Sequence, residues 1–342
     1  MARLDDYQSA LLIADPGTTD AGLARAMDAG GPGFTGFIVD HGLGAMWHAR
    51  TKREEFRECR LAAEALFLAQ ERALYEVDEA LTGEGVEYAL IKGAGTRLLA
   101  YENPATRACY DIDLLVPPED RRRAAATLIE IGFTAVPEKR AISRELVLSR
   151  DAVDIDLHWA LLREGRLRND CTTDMLSRRR RSSNFWMLSA DDALFVLLVH
   201  PAFAKHLDGW GMGLHRVADI VYWLRTQQFV WPQVEERLVQ NGVKTAAWST
   251  LRWVQLLTQH DAVPGLAEMI DQLKPGPLRR AWLDFWLRHD LSSRASGIHR
   301  VRLLGFSMFL HDRPSDALRA FRGRRAARRR ITKDLAAFSD LT

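Results

Sequence analysis

The sequence predicts an α+β protein: a small mixed sheet over residues 85–165, set between an N-terminal helical segment (1–84) and a larger helical C-terminal region (166–342). Three observations predict it. Apolar residues recur with helical spacing before residue 84 and again after residue 189, β-prone runs crowd the interval between, and Gly or Pro breaks mark each change of pattern. With 342 residues, 47% of them hydrophobic and 27% charged, the chain has the apolar mass for a packed core and not the composition of a disordered protein.

The first segment reads as helical apart from Ala29-Gly30-Gly31-Pro32-Gly33, which breaks regular structure. Over residues 54–81, Phe56, Leu61, Ala65, Leu68, Leu74, Val77 and Leu81 repeat at helical spacing. One long amphipathic helix is expected there, ended by Gly83 and Gly85. Val86-Glu87-Tyr88-Ala89-Leu90-Ile91 is a short strand feeding Lys92-Gly93-Ala94-Gly95-Thr96 and then a helix over 97–101. Asp111-Ile112-Asp113-Leu114-Leu115-Val116 is a second strand, closed by Pro117-Pro118. A helix follows over 119–131, and further strands over 133–136, 146–149 and 153–159. In the last region helices are expected over 191–200, 214–224, 232–240, 245–259 and 279–288. Trp223, Trp248, Trp253, Trp282 and Trp286 lie there, and aromatic residues at such spacing pack helix against helix.

Composition excludes several classes. Cys59, Cys109 and Cys171 have neither zinc nor redox-dithiol spacing, which fits a reducing compartment. No stretch approaches the roughly 20 apolar residues of a membrane span, and no apolar signal region follows Met1-Ala2-Arg3-Leu4-Asp5-Asp6. A cytoplasmic location is expected. The net charge of +2 names no partner, but its distribution is uneven: Arg178 to Arg181 are consecutive, and Arg322, Arg324, Arg325, Arg328, Arg329 and Arg330 crowd one segment. Such clusters are either solvated faces or attractors of phosphate polymers and anionic membrane surfaces. Residues 321–342 are expected to lie at the periphery, outside any cleft.

Side chains alternate across a strand, so Asp111 and Asp113 project from one face with Cα atoms about 6–7 Å apart. Two carboxylates among apolar neighbours repel unless a cation neutralises them. Asp154 and Asp156 repeat the pattern, with His158 on the same face. If the two strands are neighbours, three or four carboxylates converge where a hard divalent cation such as Mg²⁺ would bridge them to substrate phosphates. The alternative is that these aspartates pair with arginines or cap helices. Glycines in Lys92-Gly93-Ala94-Gly95-Thr96 let backbone approach a ligand, exposed amides at a helix N-terminus bind anions, and Lys92 adds a cation. The spacing is that of neither a P-loop nor a dinucleotide fingerprint. Arg107 is a further phosphate contact, or a salt-bridge partner for Asp111. His200, His206 and His215 share no helical face, so packing, capping or substrate contact suits them better than metal ligation; Asp219 is a partner for one of them.

Ala89-Leu90-Ile91-Lys92-Gly93, Arg107 ahead of Asp111-Ile112-Asp113-Leu114-Leu115-Val116, Gly132-Phe133, and Val153-Asp154-Ile155-Asp156-Leu157-His158-Trp159 together resemble a bacterial family of uncharacterised nucleotidyltransferases, in the DNA polymerase β-like superfamily. The resemblance continues through Leu188-Ser189-Ala190-Asp191-Asp192, His200, Lys205, His206 and His215-Arg216-Val217-Ala218-Asp219-Ile220, covering about residues 40–225. It implies a polymerase β-like sheet. It also implies a Mg²⁺ site on Asp111, Asp113 and Asp156, with Asp154 the other possible third carboxylate; the step to His158 and Trp159 favours Asp156. The donor would be a nucleoside triphosphate such as ATP, its phosphates held by Lys92, Gly93, Gly95, Thr96 and Arg107. Lys92-Gly93 stands where the superfamily has a Gly-Ser turn. The implied acceptor is a small molecule or peptide, as in natural-product modification. An RNA (tRNA) end, as for a toxin-like enzyme, is the alternative, and a catalytically silent binding module of the same fold is a third.

Overall fold

The computed structural model describes residues 4–136, 144–258 and 263–323. Apolar alternation in the middle of the chain closes a seven-stranded mixed sheet from β1 (Ala89–Leu90), β2 (Asp111–Leu115), β3 (Thr134–Val136), β4 (Glu145–Arg150), β5 (Val153–His158), β6 (Arg180–Ser182) and β7 (Phe185–Met187). Their spatial order is β3-β4-β5-β2-β1-β7-β6. At its centre β2 and β5 run parallel, with Asp111 opposite Asp154 and Asp113 opposite Asp156. β1 lies antiparallel to β2 and parallel to β7.

The expected strands all form, but the sheet continues past residue 165 through β6 and β7. Their sequence hides them: the Arg178 to Arg181 run spans the edge strand, where charge is what discourages further pairing. Three of these arginines are engaged by carboxylates, Arg178 with Asp192, Arg179 with Glu87 and Arg181 with Asp78. Of the second arginine cluster, Arg322 is exposed, and Arg324, Arg325, Arg328, Arg329 and Arg330 lie outside the described residues.

Four helices, α1 (Leu4–Leu11), α2 (Asp20–Ala29), α3 (Phe34–Asp40) and α4 (Gly44–Thr51), precede the long α5 (Arg57–Gly83). The glycine-rich break falls between α2 and α3, as expected. α5 buries Ala63, Gln70, Leu74, Val77 and Leu81, and Leu61 and Leu68 of the expected stripe are exposed. The C-terminal half of α5 and α7 (Arg121–Glu130) share one apolar cluster with the sheet. Between them in sequence lies α6 (Lys92–Ala100), which starts five residues earlier than the glycines suggest.

After α8 (Thr172–Ser177) come α9 (Ala190–Ala204), α10 (Gly209–Met212), α11 (Leu214–Thr226), α12 (Trp231–Gln240), α13 (Lys244–Leu257), α14 (Leu266–Gln272), α15 (Pro277–Arg288), α16 (Leu291–Arg294) and α17 (His299–Arg302). α9 is apolar around its circumference, with Leu194 through Val199 all buried, and it sits amid α6, α11, α12 and α13. Trp223, Trp248, Trp253 and Trp286 are buried in this region, whereas Trp282 is exposed. The N-terminal helices do not pack apart from the C-terminal ones: α1 lies on α11 and α13, and a single core joins Tyr7 and Trp47 to Trp253 and Leu287.

The turn from β1 into α6 positions the site. Lys92 takes φ +51°, a left-handed conformation that costs a residue with a Cβ roughly 1–2 kcal/mol. Three residues on, a Cβ at Gly95 would lie 3.1 Å from the Leu90 carbonyl oxygen, so the helix rests directly on strand backbone. We expect Gly95→Ala to lower stability by about 1–2 kcal/mol, the helix-propensity gain being outweighed by displacement of α6. A thermal melt equal to or above wild type would show that the approach is not tight.

Candidate active site

The β2/β5 register sets the chemistry. Parallel neighbours lie roughly 4.8 Å apart, and alternate residues share a face, so Asp113 comes to rest beside Asp156. With His158 they form a buried group, 5%, 4% and 3% exposed, whose ligand atoms all lie within 4.8 Å of one another. Lys92 closes it: its Nζ donates to Asp113 Oδ1 at 2.6 Å and lies 2.9 Å from His158 Nε2. His158 Nε2 is 2.8 Å from the same Asp113 oxygen, and its Nδ1 is 3.3 Å from Glu145 Oε2, which reaches across from the paired position on β4.

Environment drives the two aspartates apart. Burial alone would raise the Asp113 carboxyl, but the Lys92 ammonium and the His158 hydrogen bond overcome it and hold that group well below the usual carboxylate range. Asp156 goes the other way. Burial and the neighbouring Asp113 charge push it up to about 6.

Asp111 is half-buried one step along the same face, close enough for its charge to act on Asp156. Asp154 is exposed and accepts from Ser149 Oγ at 2.6 Å, away from the buried group. Of the expected four carboxylates, Asp113 and Asp156 are therefore the pair brought together. The expectation of repulsion relieved only by an added ion also changes, because Lys92 already supplies one positive charge.

Arg107 is not directed at a ligand. Its Nε and Nη2 donate to the two carboxylate oxygens of Asp219 on α11, at 3.0 and 2.6 Å, and Tyr101 donates to the same residue at 2.8 Å. Neither Asp111 nor a histidine is the partner. The space made by the glycines is likewise filled by the protein itself: a Cβ at Gly93 would meet the Arg107 guanidinium at 3.2 Å, Gly95 rests on Leu90, and Thr96 is buried. Gly93, Gly95, Thr96 and Arg107, the anticipated phosphate cradle, are thus packed among groups of the protein in this structure.

Other side chains approach from the helices. His200 on α9 is half-buried within the fields of Lys92, Asp113 and His158, where burial and the Lys92 charge press its basicity well down. Arg216 on α11 lies within the fields of Asp219, Asp111 and Asp113, its basicity lowered by burial and by Arg107. His206 and His215 face Ser307 and the His41 carbonyl instead. Glu145 and Arg216 carry no local sequence signal beyond a strand start and a helical turn, and His158 was legible only as sharing the aspartate face.

The donor set suits a divalent cation in charge. Two carboxylates bring two negative charges, Lys92 offsets one, and the upward push on Asp156 records the remainder. Mg²⁺ would use the Asp113 and Asp156 oxygens with phosphate and water, and the imidazole of His158 extends the set to softer ions such as Mn²⁺ or Zn²⁺.

Two adjacent buried carboxylates on parallel strands, bordered by a lysine and an imidazole, define a sheet-borne acidic site of the kind that manages phosphate chemistry. The chain belongs to the uncharacterised nucleotidyltransferase family, whose family model matches residues 41–259 and so spans the sheet and the helices around it. No curated protein shows significant similarity to the chain. Among the described residues, no helix is long and apolar enough to cross a membrane.

A cation that touches Asp156 must displace its proton below about pH 6. We expect divalent-ion affinity, measured by calorimetry in buffers of different ionisation enthalpy, to fall as pH drops through that value, with proton release that Asp156→Asn eliminates. Binding that is independent of pH and releases no proton would place the ion elsewhere.

Proposed function

We propose that the chain is a divalent-cation-dependent nucleotidyltransferase with a polymerase β-like catalytic core, acting from a nucleoside triphosphate such as ATP on a small-molecule or peptide acceptor. The observation that carries this reading is the side-by-side, buried placement of Asp113 and Asp156 in a chain of the nucleotidyltransferase family. Asp113, Asp156 and the nearby Asp111 would hold Mg²⁺, and Asp154 is the less suitable ligand because it is exposed and bonded to Ser149. When bound, the ion neutralises charge on the pyrophosphate leaving group and activates the acceptor oxygen.

The chain's own groups then have separate tasks. Asp156, kept ionised once the cation is bound, is the carboxylate placed to accept the proton of an attacking hydroxyl. Lys92 exchanges its bond to Asp113 for a donor phosphate oxygen when the donor arrives. Arg216 takes the phosphate-positioning role that Arg107, engaged by Asp219, does not fill. A cytoplasmic enzyme of natural-product modification fits these features. Action on an RNA end is the weaker version, since three of the four consecutive arginines are already ion-paired.

The Lys92–Asp113 contact supports one other reading: a silent binding module in which the ammonium permanently replaces the metal. Incubation with each labelled nucleoside triphosphate and Mg²⁺, with and without candidate acceptors, followed by mass spectrometry of the products, separates the two. Asp113→Asn should reduce transfer on the order of 10³-fold. It should also lower metal-free stability, by roughly 1–3 kcal/mol, because half-buried Lys92 loses its charged partner. A wild type that melts identically with and without Mg²⁺ and nucleotide, and forms no product from any triphosphate, overturns the enzyme in favour of the module.

A further inference from the structure

The C-terminal helices lie beyond the residues matched by the family model, and they turn an apolar face to solvent. On α15, Leu278, Trp282 and Phe285 stand on one side at i, i+4 and i+7, all exposed, Leu278 to 88%. The chain after α16 packs back on that helix. Trp282 Nε1 donates to the Gly305 carbonyl at 2.6 Å, the Trp286 ring stacks on Phe306, and the Phe309 ring centre lies 5.9 Å from that of Trp282. A Cβ at Gly305 would come within 2.5 Å of the Trp286 ring, so the closeness of the two segments needs the glycine. This segment adds Val301, Leu304 and Phe309 to the exposed apolar side chains, Leu304 to 61%.

Charge on the same cap is one-sided. Residues 273–313 contain three carboxylates, each half-buried and engaged by donors of the protein. Asp284 accepts from Arg252 and Arg288, Asp290 from Tyr7 and the Gly209 amide, and Asp312 from the Lys244 and Thr245 amides. Arg294, Arg300 and Arg313 face solvent. The surface therefore offers apolar tips within a cationic rim.

We propose that this cap docks on an anionic lipid bilayer surface, its aliphatic and aromatic tips entering the boundary between headgroups and acyl chains and its arginines meeting lipid phosphates. The composition selects this partner. The most exposed tips, Leu278 and Leu304, partition into acyl chains and give a nucleobase no ring, and the Trp282, Phe285 and Phe309 rings pack against one another, which favours lipid over RNA. A second copy would set one cationic rim against another. Attachment is interfacial, without a spanning helix, and is independent of the reading proposed for the sheet site.

The test is flotation of the full chain with vesicles of phosphatidylcholine alone or mixed with phosphatidylglycerol. Wild type should float with the anionic vesicles and not the neutral ones, and release with added salt. Arg294→Gln/Arg300→Gln should weaken partitioning about twenty-five-fold, from roughly fivefold per arginine near an anionic surface. Leu278→Glu/Leu304→Glu, at exposed positions, should abolish flotation while circular dichroism and melting stay as in wild type. Equal flotation of wild type and the Leu278/Leu304 variant overturns the proposal, since charge elsewhere in the chain would then suffice. So does failure of wild type to float, whether the chain instead self-associates or binds RNA through this face.

Discussion

Two carboxylates stand side by side inside this protein because β2 and β5 are parallel and in register, and much of the surrounding structure makes that placement tolerable. A buried carboxylate pair is costly, and removing both from water costs more than their separation can relieve. The chain answers with a lysine in a strained backbone conformation, an imidazole bridging to a third carboxylate, and helices that wall the pocket. Lys92 combines this left-handed backbone with an ammonium turned to Asp113. A residue held in a disfavoured conformation at the one point where charge must be matched is where local preference has yielded to the site.

A second buried ion pair ties the two halves of the pocket together. Arg107 precedes β2 and Asp219 lies on α11, so their bidentate contact joins the loop that leads into Asp111 and Asp113 to the helix that carries Arg216. Burial opposes both charges. Two parallel hydrogen bonds and the Tyr101 hydroxyl offset that cost, and Gly93 leaves the room for the guanidinium beneath α6. The position of the helical wall over the aspartates is thereby fixed by the same contact that fixes the strand entrance.

Much of this was legible in the sequence. Period-two alternation around Asp111, Asp113, Asp154 and Asp156 gave both strands and their shared face, and the helices beyond residue 189 followed from apolar spacing and Gly or Pro breaks. What was not legible depends on partners distant in sequence. Nothing near Arg107 announces Asp219, 112 positions away. Lys92 reads as a free cation until its φ and the β2 register are known. β6 reads as a charged run because edge strands carry charge, and Leu61 and Leu68 look like core because periodicity marks a face without saying how far along the helix that face stays covered. The glycines at 93 and 95 signalled close approach, and the groups that approach them in this structure are an arginine and a carbonyl of the protein.

The meeting of α1 with the last helices has a consequence for biosynthesis. Tyr7 donates to Asp290 and Gln8 to the Leu256 carbonyl, so part of the first helix's seat is made of residues synthesised 283 and 248 positions later. During elongation Phe37, His41 and Trp47 can meet Tyr7 and Ala10 early, whereas the Trp253 ring and the Asp290 carboxylate that complete the seat arrive later. For a fold closed by contacts this distant in sequence, the ribosome's vectorial output delays the final collapse until the later helices are made.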